Sequence, residues 1–211
     1  MSRLAVLIDG EFMKKRLGRT LRRFPTIADF RAERQKILEA YAASPLQPDP
    51  DLYRIFYYTA EPYTGEQTNP LDGSVTRYGD TPSYRRNQSF IEKLEHENDV
   101  AVRRGELKFK GWRLRPSIAN QLISPPTSTG TVVASDLQPD FKQKGVDMRI
   151  GLDIATLALK RLVTDVVVVT GDLDMMPALK LARREGLRVY LHMMGARGRS
   201  QLRAHADQVI G

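Results

Sequence analysis

The chain contains no cysteine, which excludes disulfides, thiolate nucleophiles and Cys-ligated zinc. Histidine is almost as scarce. His96, His192 and His205 are scattered, and no two stand at the spacing of ligands on one helix face, which argues against an imidazole-based metal site. Long apolar runs are missing too: stretches such as Leu4–Ile8 and Val166–Val169 fall far short of the roughly 18 residues a membrane span needs. The opening "MSRLAVLIDGEF" lacks the long apolar segment and small-residue cleavage site of a signal peptide. A cytoplasmic protein with no membrane partner is therefore expected.

Acid is in deficit as well. Asp and Glu number 25 against 33 Lys and Arg, a net charge of +8 and a pI near 9.8. Such a balance favours an anionic partner, although a merely basic soluble protein would carry the same charge. With 211 residues and 41% hydrophobic content, one domain with a substantial core is expected, and no internal repeat divides it.

What is present reads as strands separated by helices. Leu4–Ile8, "LAVLI", is a buried strand ending at Asp9-Gly10, followed by the basic helical stretches "MKKRLGRTLRR" and "ADFRAERQKILEAYA", which Pro45, Pro48 and Pro50 close. Leu52–Tyr58 is a second strand, aromatic and β-branched. Thr59–Pro82, rich in Gly and Pro, reads as a long loop, and Ser83 opens a helix carrying Phe90, Ile91 and Leu94. Val100–Pro116 alternates through Leu107, Phe109, Trp112 and Leu114, predicting strand, turn and ribbon. A second irregular stretch occupies 116–143. The last third predicts a helix over Asp147–Leu162, a buried strand over Val166–Thr170, a helix over Met175–Glu185 stopped by Gly186, and a strand over Leu187–Met193. A closing helix and short strand follow. The stretches 59–82 and 116–143 are expected to be insertions within a single domain spanning 1–211. Alternating strands and helices imply right-handed crossovers and a mainly parallel sheet.

In such a sheet, ligands gather outside the carboxyl ends of the strands. Asp9 follows "LAVLI" directly, and Asp172 and Asp174 follow "VVVVTG". The helix from Asp147 leads back to a strand beginning near Asp165, so its first residue lies at the same edge. The stripe Asp147, Gly151, Ile154 and Ala158 puts that carboxylate in line with the sheet-facing side. Each Asp alone has an ordinary use: Asp147 and Asp174 as helix caps, Asp172 and Asp9 as turn residues. Four carboxylates from three segments, however, should avoid one another unless cations neutralise them. An oxygen-only donor set suits Mg²⁺ or Mn²⁺, ions able to activate water for phosphodiester displacement. Asp153, about 240° round the helix from Asp147, should point away to solvent or a salt bridge. Glu11 is left between a water-mediated metal contact and no role.

These residues resemble a known family. "LAVLIDGEF", "FKQKGVDMRIGLDIATLAL" and "VVVVTGDLDMMPALKLARREGLRVYL" are similar to the NYN domain family, in its LabA-like branch, relatives of the PIN-like nucleases. The resemblance implies a PIN-like three-layer α/β/α sandwich and a metal-dependent ribonuclease whose acidic positions fall on Asp9, Asp147, Asp172 and Asp174. It departs from the family pattern at Phe12, where many members have Asn, and at Leu173 and Met175, where many have Ser and Phe. Thr170 is the nearest substitute for the missing hydroxyl.

Binding RNA needs cations beside the acidic edge. Lys15, Arg77, Arg85, Arg86 and Lys144 are the candidates, and Arg197, Arg199 and Arg203 of "GARGRSQLR" could face the same edge. The ribbon "KFKGWRLR" interleaves Lys108, Lys110, Arg113 and Arg115 with Phe109 and Trp112, an alternation that also fits inward-packed rings and solvated charges. The expected activity is hydrolysis of single-stranded RNA, by a monomer or a homo-oligomer. The alternative is a non-catalytic RNA- or protein-binding regulator on the same fold. A phosphatase of the haloacid dehalogenase kind, which "GDLD" faintly resembles, is discounted: it needs a second Asp two residues after the first, where Glu11 stands.

Overall fold

The computed structural model describes residues 2–44, 51–123, 131–196 and 200–211. Prolines 45, 48 and 50, expected to close a helix, lie outside these residues, as do Arg197 and Arg199.

A seven-stranded sheet organises the chain. It contains β1 (Arg3–Asp9), β2 (Asp51–Ala60), β5 (Val100–Leu114), β6 (Leu137–Lys144), β7 (Asp165–Val169), β8 (Arg188–His192) and β9 (Gln208–Ile210), in the order β6-β5-β2-β1-β7-β8-β9. β1 lies parallel to both β2 and β7, and β7, β8 and β9 continue in parallel, while β5 and β6 are antiparallel. The centre is buried on both faces, so its strands read as unbroken apolar runs: every residue from Leu4 to Ile8 and from Val166 to Val169 is buried.

Helices cover both faces, giving a three-layer α/β/α fold. On one side, Leu4, Val6 and Ile8 join a core with Met13 of α1 (Gly10–Leu21), Phe30, Ile37 and Tyr41 of α2 (Ile27–Ala42), and Phe90 and Leu94 of α3 (Pro82–Glu95). On the other, α5 (Val146–Leu159) turns Val146, Ile150, Ile154, Leu157 and Ala158 inward, and α6 (Met176–Arg184) buries Leu179 and Ala182. Ile154 and Ala158 of the expected stripe are buried, but in the first two turns Val146 and Ile150 take the inward places of Asp147 and Gly151, leaving Asp147 exposed at the margin of the packed side. α5 also ends earlier than expected, where Arg161 takes a left-handed φ of 51°. Among the described residues no helix is long and apolar enough to cross a membrane.

The chain divides into two compact units, one formed by 1–59, 89–105 and 145–211, the other by 60–88 and 106–144. The second holds more regular structure than its composition predicts. Within 59–82 lies a hairpin of β3 (Glu66–Thr68) and β4 (Val75–Arg77). Within 116–143 lie α4 (Pro116–Ile123) and β6. The expected strand, turn and ribbon over 100–116 is instead one long strand: Gly111, at φ 121°, supplies a register shift between Phe109 and Trp112 rather than a reversal. Both units are held by aromatic contacts, exemplified by Tyr41 edge-on to Tyr190 in the first and Phe109 against Phe141 in the second.

Candidate functional site

Asp9 is the last residue of β1 and the N-cap of α1. Its Oδ1 accepts the backbone N–H of Glu11 at 3.1 Å and of Phe12 at 3.0 Å, satisfying two of the donors that a helix start leaves open. The start of α1 can lie this close to β2 because residue 10 is glycine: a Cβ there would stand 2.5 Å from the Tyr58 carbonyl oxygen. Asp172 makes the equivalent turn after β7. Its Oδ1 accepts the N–H of Asp174 at 3.0 Å, and its own N–H donates to Thr170 Oγ1 at 3.0 Å. Thr170 is buried, so its hydroxyl fastens the turn.

Asp147 and Asp174 cap nothing. The N-cap of α5 is Gly145, at φ 74°, and that of α6 is Met175, neither with a side-chain bond. The N-cap positions thus fall on residues that make no side-chain bond, and both carboxylates are left exposed.

The carboxylates act on one another. Burial pushes the Asp9 carboxyl above its ordinary value, the charges of Asp147 and Glu11 push the same way, and the N–H bonds from Phe12 and Glu11 oppose them. Asp147 is raised too, by partial burial first and then by the charges of Asp172 and Asp174. Asp147 is thus the middle of the set, influencing Asp9 on one side and influenced by the pair after β7 on the other. No three acidic or imidazole groups among the described residues stand close enough together to enclose an ion as they are arranged.

Several neighbours follow from structure rather than sequence. Glu11 is bracketed by Lys14 at 3.3 Å and Lys15 at 3.4 Å. Burial opposes its charge, but the two ammonium groups outweigh it and hold the carboxyl below its usual value. Lys15, a candidate for phosphate contact, is exposed and tied to that glutamate. Phe12 packs so tightly on Gly171 that a Cβ there would lie 2.6 Å from the ring. The aromatic residue at 12 and the glycine at 171 are consequently one feature, which neither position reveals alone. Asp153 accepts from the Tyr58 hydroxyl at 2.8 Å and Arg103 Nε at 3.0 Å: it is a salt-bridged residue. His192, at the end of β8, is buried, which lowers its pKa, and its Nδ1 has no partner among the described residues.

Four of the remaining candidate cations belong to the second unit. Arg77 pairs with Glu66 at 2.7 Å in the hairpin, Arg85 and Arg86 are exposed near the start of α3, and Lys144 is the exposed last residue of β6. Arg203 ends a short helix, Ser200–Arg203, in the first unit.

Such a fold, with a mainly parallel central sheet between two layers of helices, places the chain in the three-layer α/β/α class. The model of the NYN domain family matches residues 3–211, and the chain belongs to that family of PIN-like nucleases. No curated protein matches it. Among solved structures it is similar to a protein of unknown function from Vibrio parahaemolyticus, at 14% identity and a TM-score of 0.48 over 99% of this chain and 91% of that one.

Proposed function

We propose that the chain is a divalent-metal-dependent ribonuclease that hydrolyses RNA phosphodiester bonds with water, using Asp9, Asp147, Asp172 and Asp174. Membership of the LabA-like branch, a preference for single-stranded RNA and a cytoplasmic setting belong to the same reading. The observation that carries it is the unfavourable charge around Asp147. Beyond the effect of burial, the charge of Asp147 pushes the Asp9 carboxyl up, and the charges of Asp172 and Asp174 do the same to Asp147, an arrangement that costs stability unless a cation offsets it. An all-oxygen donor set without cysteine fits Mg²⁺ or Mn²⁺. When bound, such an ion supplies neutralising charge and Lewis acidity toward water and the phosphate oxygens.

The chain's own contribution is positioning. Backbone N–H groups hold one oxygen each of Asp9 and Asp172, fixing both side chains before any ligand arrives. Asp147 and Asp174, free of capping duty, complete the donor set. Lys15, Arg77, Arg85, Arg86 and Lys144 are assigned to the RNA phosphates, and no protein nucleophile is needed.

That no three acidic or imidazole groups among the described residues stand at enclosing distance favours a second reading, a non-catalytic RNA- or protein-binding regulator. Asn at 147 and 172 separates the two. For a nuclease, Asp147→Asn and Asp172→Asn each lower turnover by about 10²–10⁴-fold, corresponding to several kcal/mol of lost transition-state stabilisation, while RNA affinity is retained. For a regulator there is no turnover to lose and binding changes little.

A further inference from the structure

The ribbon of β5 and β6 within the second unit carries a charge arrangement of which the proposed ribonuclease site uses Lys144 alone. Side chains of paired strands alternate between two faces. One face is occupied: Phe109 stands opposite Phe141, and both pack with Tyr63 in an aromatic cluster that includes Tyr78 and Trp112. On the other face Lys108 lies opposite Lys142 and Glu106 opposite Lys144, with Lys110 two residues further along β5. All four lysines are exposed. Glu106 is engaged by Lys108 at 3.0 Å, and Asp140 by Arg113 at 3.6 Å. Lys110, Lys142 and Lys144 have no ion pair among the described residues.

Like charges directly opposite one another destabilise an antiparallel pair, so the Lys108–Lys142 pairing needs a reason. Protection of a sheet edge is a common one. It accounts for cations on β6, the last strand in the sheet order. It does not account for Lys108 and Lys110, which stand on the inner neighbour. Successive same-face positions along a strand are about 7 Å apart, so Lys142 and Lys144 on β6, with Lys108 opposite Lys142, set cations along a line that matches a polymer of regularly spaced negative charge better than a single anion. Their opposite face is filled by rings, which stiffens the line.

We infer that this face of the β5–β6 ribbon binds the sugar-phosphate backbone of single-stranded nucleic acid. The choice of nucleic acid over an acidic protein rests on the ribonuclease reading, whereas the cationic line stands without it.

The test measures binding of a fluorescein-labelled oligouridylate by anisotropy across a salt series, in EDTA, so that the result does not depend on turnover. The chain is compared with the double variant Lys108→Gln/Lys142→Gln and with the control Lys93→Gln/Lys160→Gln, which removes the same charge from α3 and from the turn after α5. The ribbon variant should weaken binding by tenfold or more near physiological salt. It should also flatten the slope of log affinity against log salt by about 1.4, from roughly 0.7 per phosphate contact to a single strand. Its melting temperature should be unchanged or raised, because a repulsive pair has been removed. The control should bind as the parent does. Equal loss in both variants would overturn the inference, as would an unchanged slope accompanied by self-association, the signature of edge protection alone. Preferential binding of polyglutamate, lost in the ribbon variant while the oligouridylate is unaffected, would overturn it in favour of an acidic protein. Failure of the chain to cut RNA in Mn²⁺ would count against the ribonuclease reading and leave this binding result standing.

Discussion

At the residue scale, the behaviour of Asp147 follows from its neighbours. Its pKa and that of Asp9 lie above the ordinary carboxylate value, so their ionisation disfavours the folded state. The stabilising contribution is complete below the unfolded pKa and is lost as pH rises through the folded one. In EDTA, the melting temperature of the parent should therefore fall relative to that of Asp147→Asn as pH climbs above about 4, and the variant should be the more stable at neutral pH. Calorimetry of both across that range checks the sign; a parent more stable than the variant at pH 7 would mean that Asp147 is compensated by something other than a bound cation. Gly171 gives a second prediction at this scale. Adding a methyl group drives it into the Phe12 ring, and overpacking of this kind costs about 1–3 kcal/mol. Urea titration of Gly171→Ala should show that loss, and Asn at position 12 should recover part of it. The sequence placed Asp9 and Asp172 at strand ends because an apolar run that stops at an Asp is visible in one dimension. The Phe12–Gly171 contact joins residues 159 positions apart, and no local pattern encodes it.

Among the elements, those with strong periodicity were legible and those stabilised by their partners were not. β1, β7 and β8 are continuous apolar runs, and α5 has a clear inward stripe, so their type and order follow from hydrophobic pattern alone. β6 is not legible in the sequence because "LQPDFKQK" contains a proline and few apolar residues, yet an edge strand tolerates Pro139 since one side of its backbone needs no ladder bonds. The hairpin of β3 and β4 is three residues per strand and mostly exposed, too short for alternation to register. Gly111 looked like a turn, although a glycine at positive φ serves equally as a bulge within a strand. The start of α2 illustrates a local signal that can be tested. Thr26 accepts from the N–H of Asp29, the Asp29 carboxylate accepts from the N–H of Thr26, and Arg23 pairs with Asp29 at 2.6 Å. The Arg23 bond, with those from Thr26, holds the Asp29 carboxyl well below its ordinary value. Thr26→Ala should cost about 1 kcal/mol in chemical denaturation. The Asp29 contribution should be present above the unfolded pKa and fade as pH falls toward the folded one.

For the whole molecule, the α/β/α fold of a NYN-family chain carries the carboxylates of the proposed metal site. A ligand that binds only the folded chain stabilises it. Mn²⁺ at about 100 times its dissociation constant should add about 2.7 kcal/mol, or roughly 5–10 °C in melting temperature for a chain of this size. The shift should vanish in Asp147→Asn. The central claim is that the carboxylates support metal-dependent cleavage, and its most direct measurement is cleavage of labelled single-stranded RNA by the purified chain with Mn²⁺, with EDTA in place of the metal, and with Asp172→Asn. The account predicts cutting in Mn²⁺ that both EDTA and the substitution abolish. Cutting that persists in Asp172→Asn, or an intact RNA that the parent binds tightly but never cleaves, would contradict it.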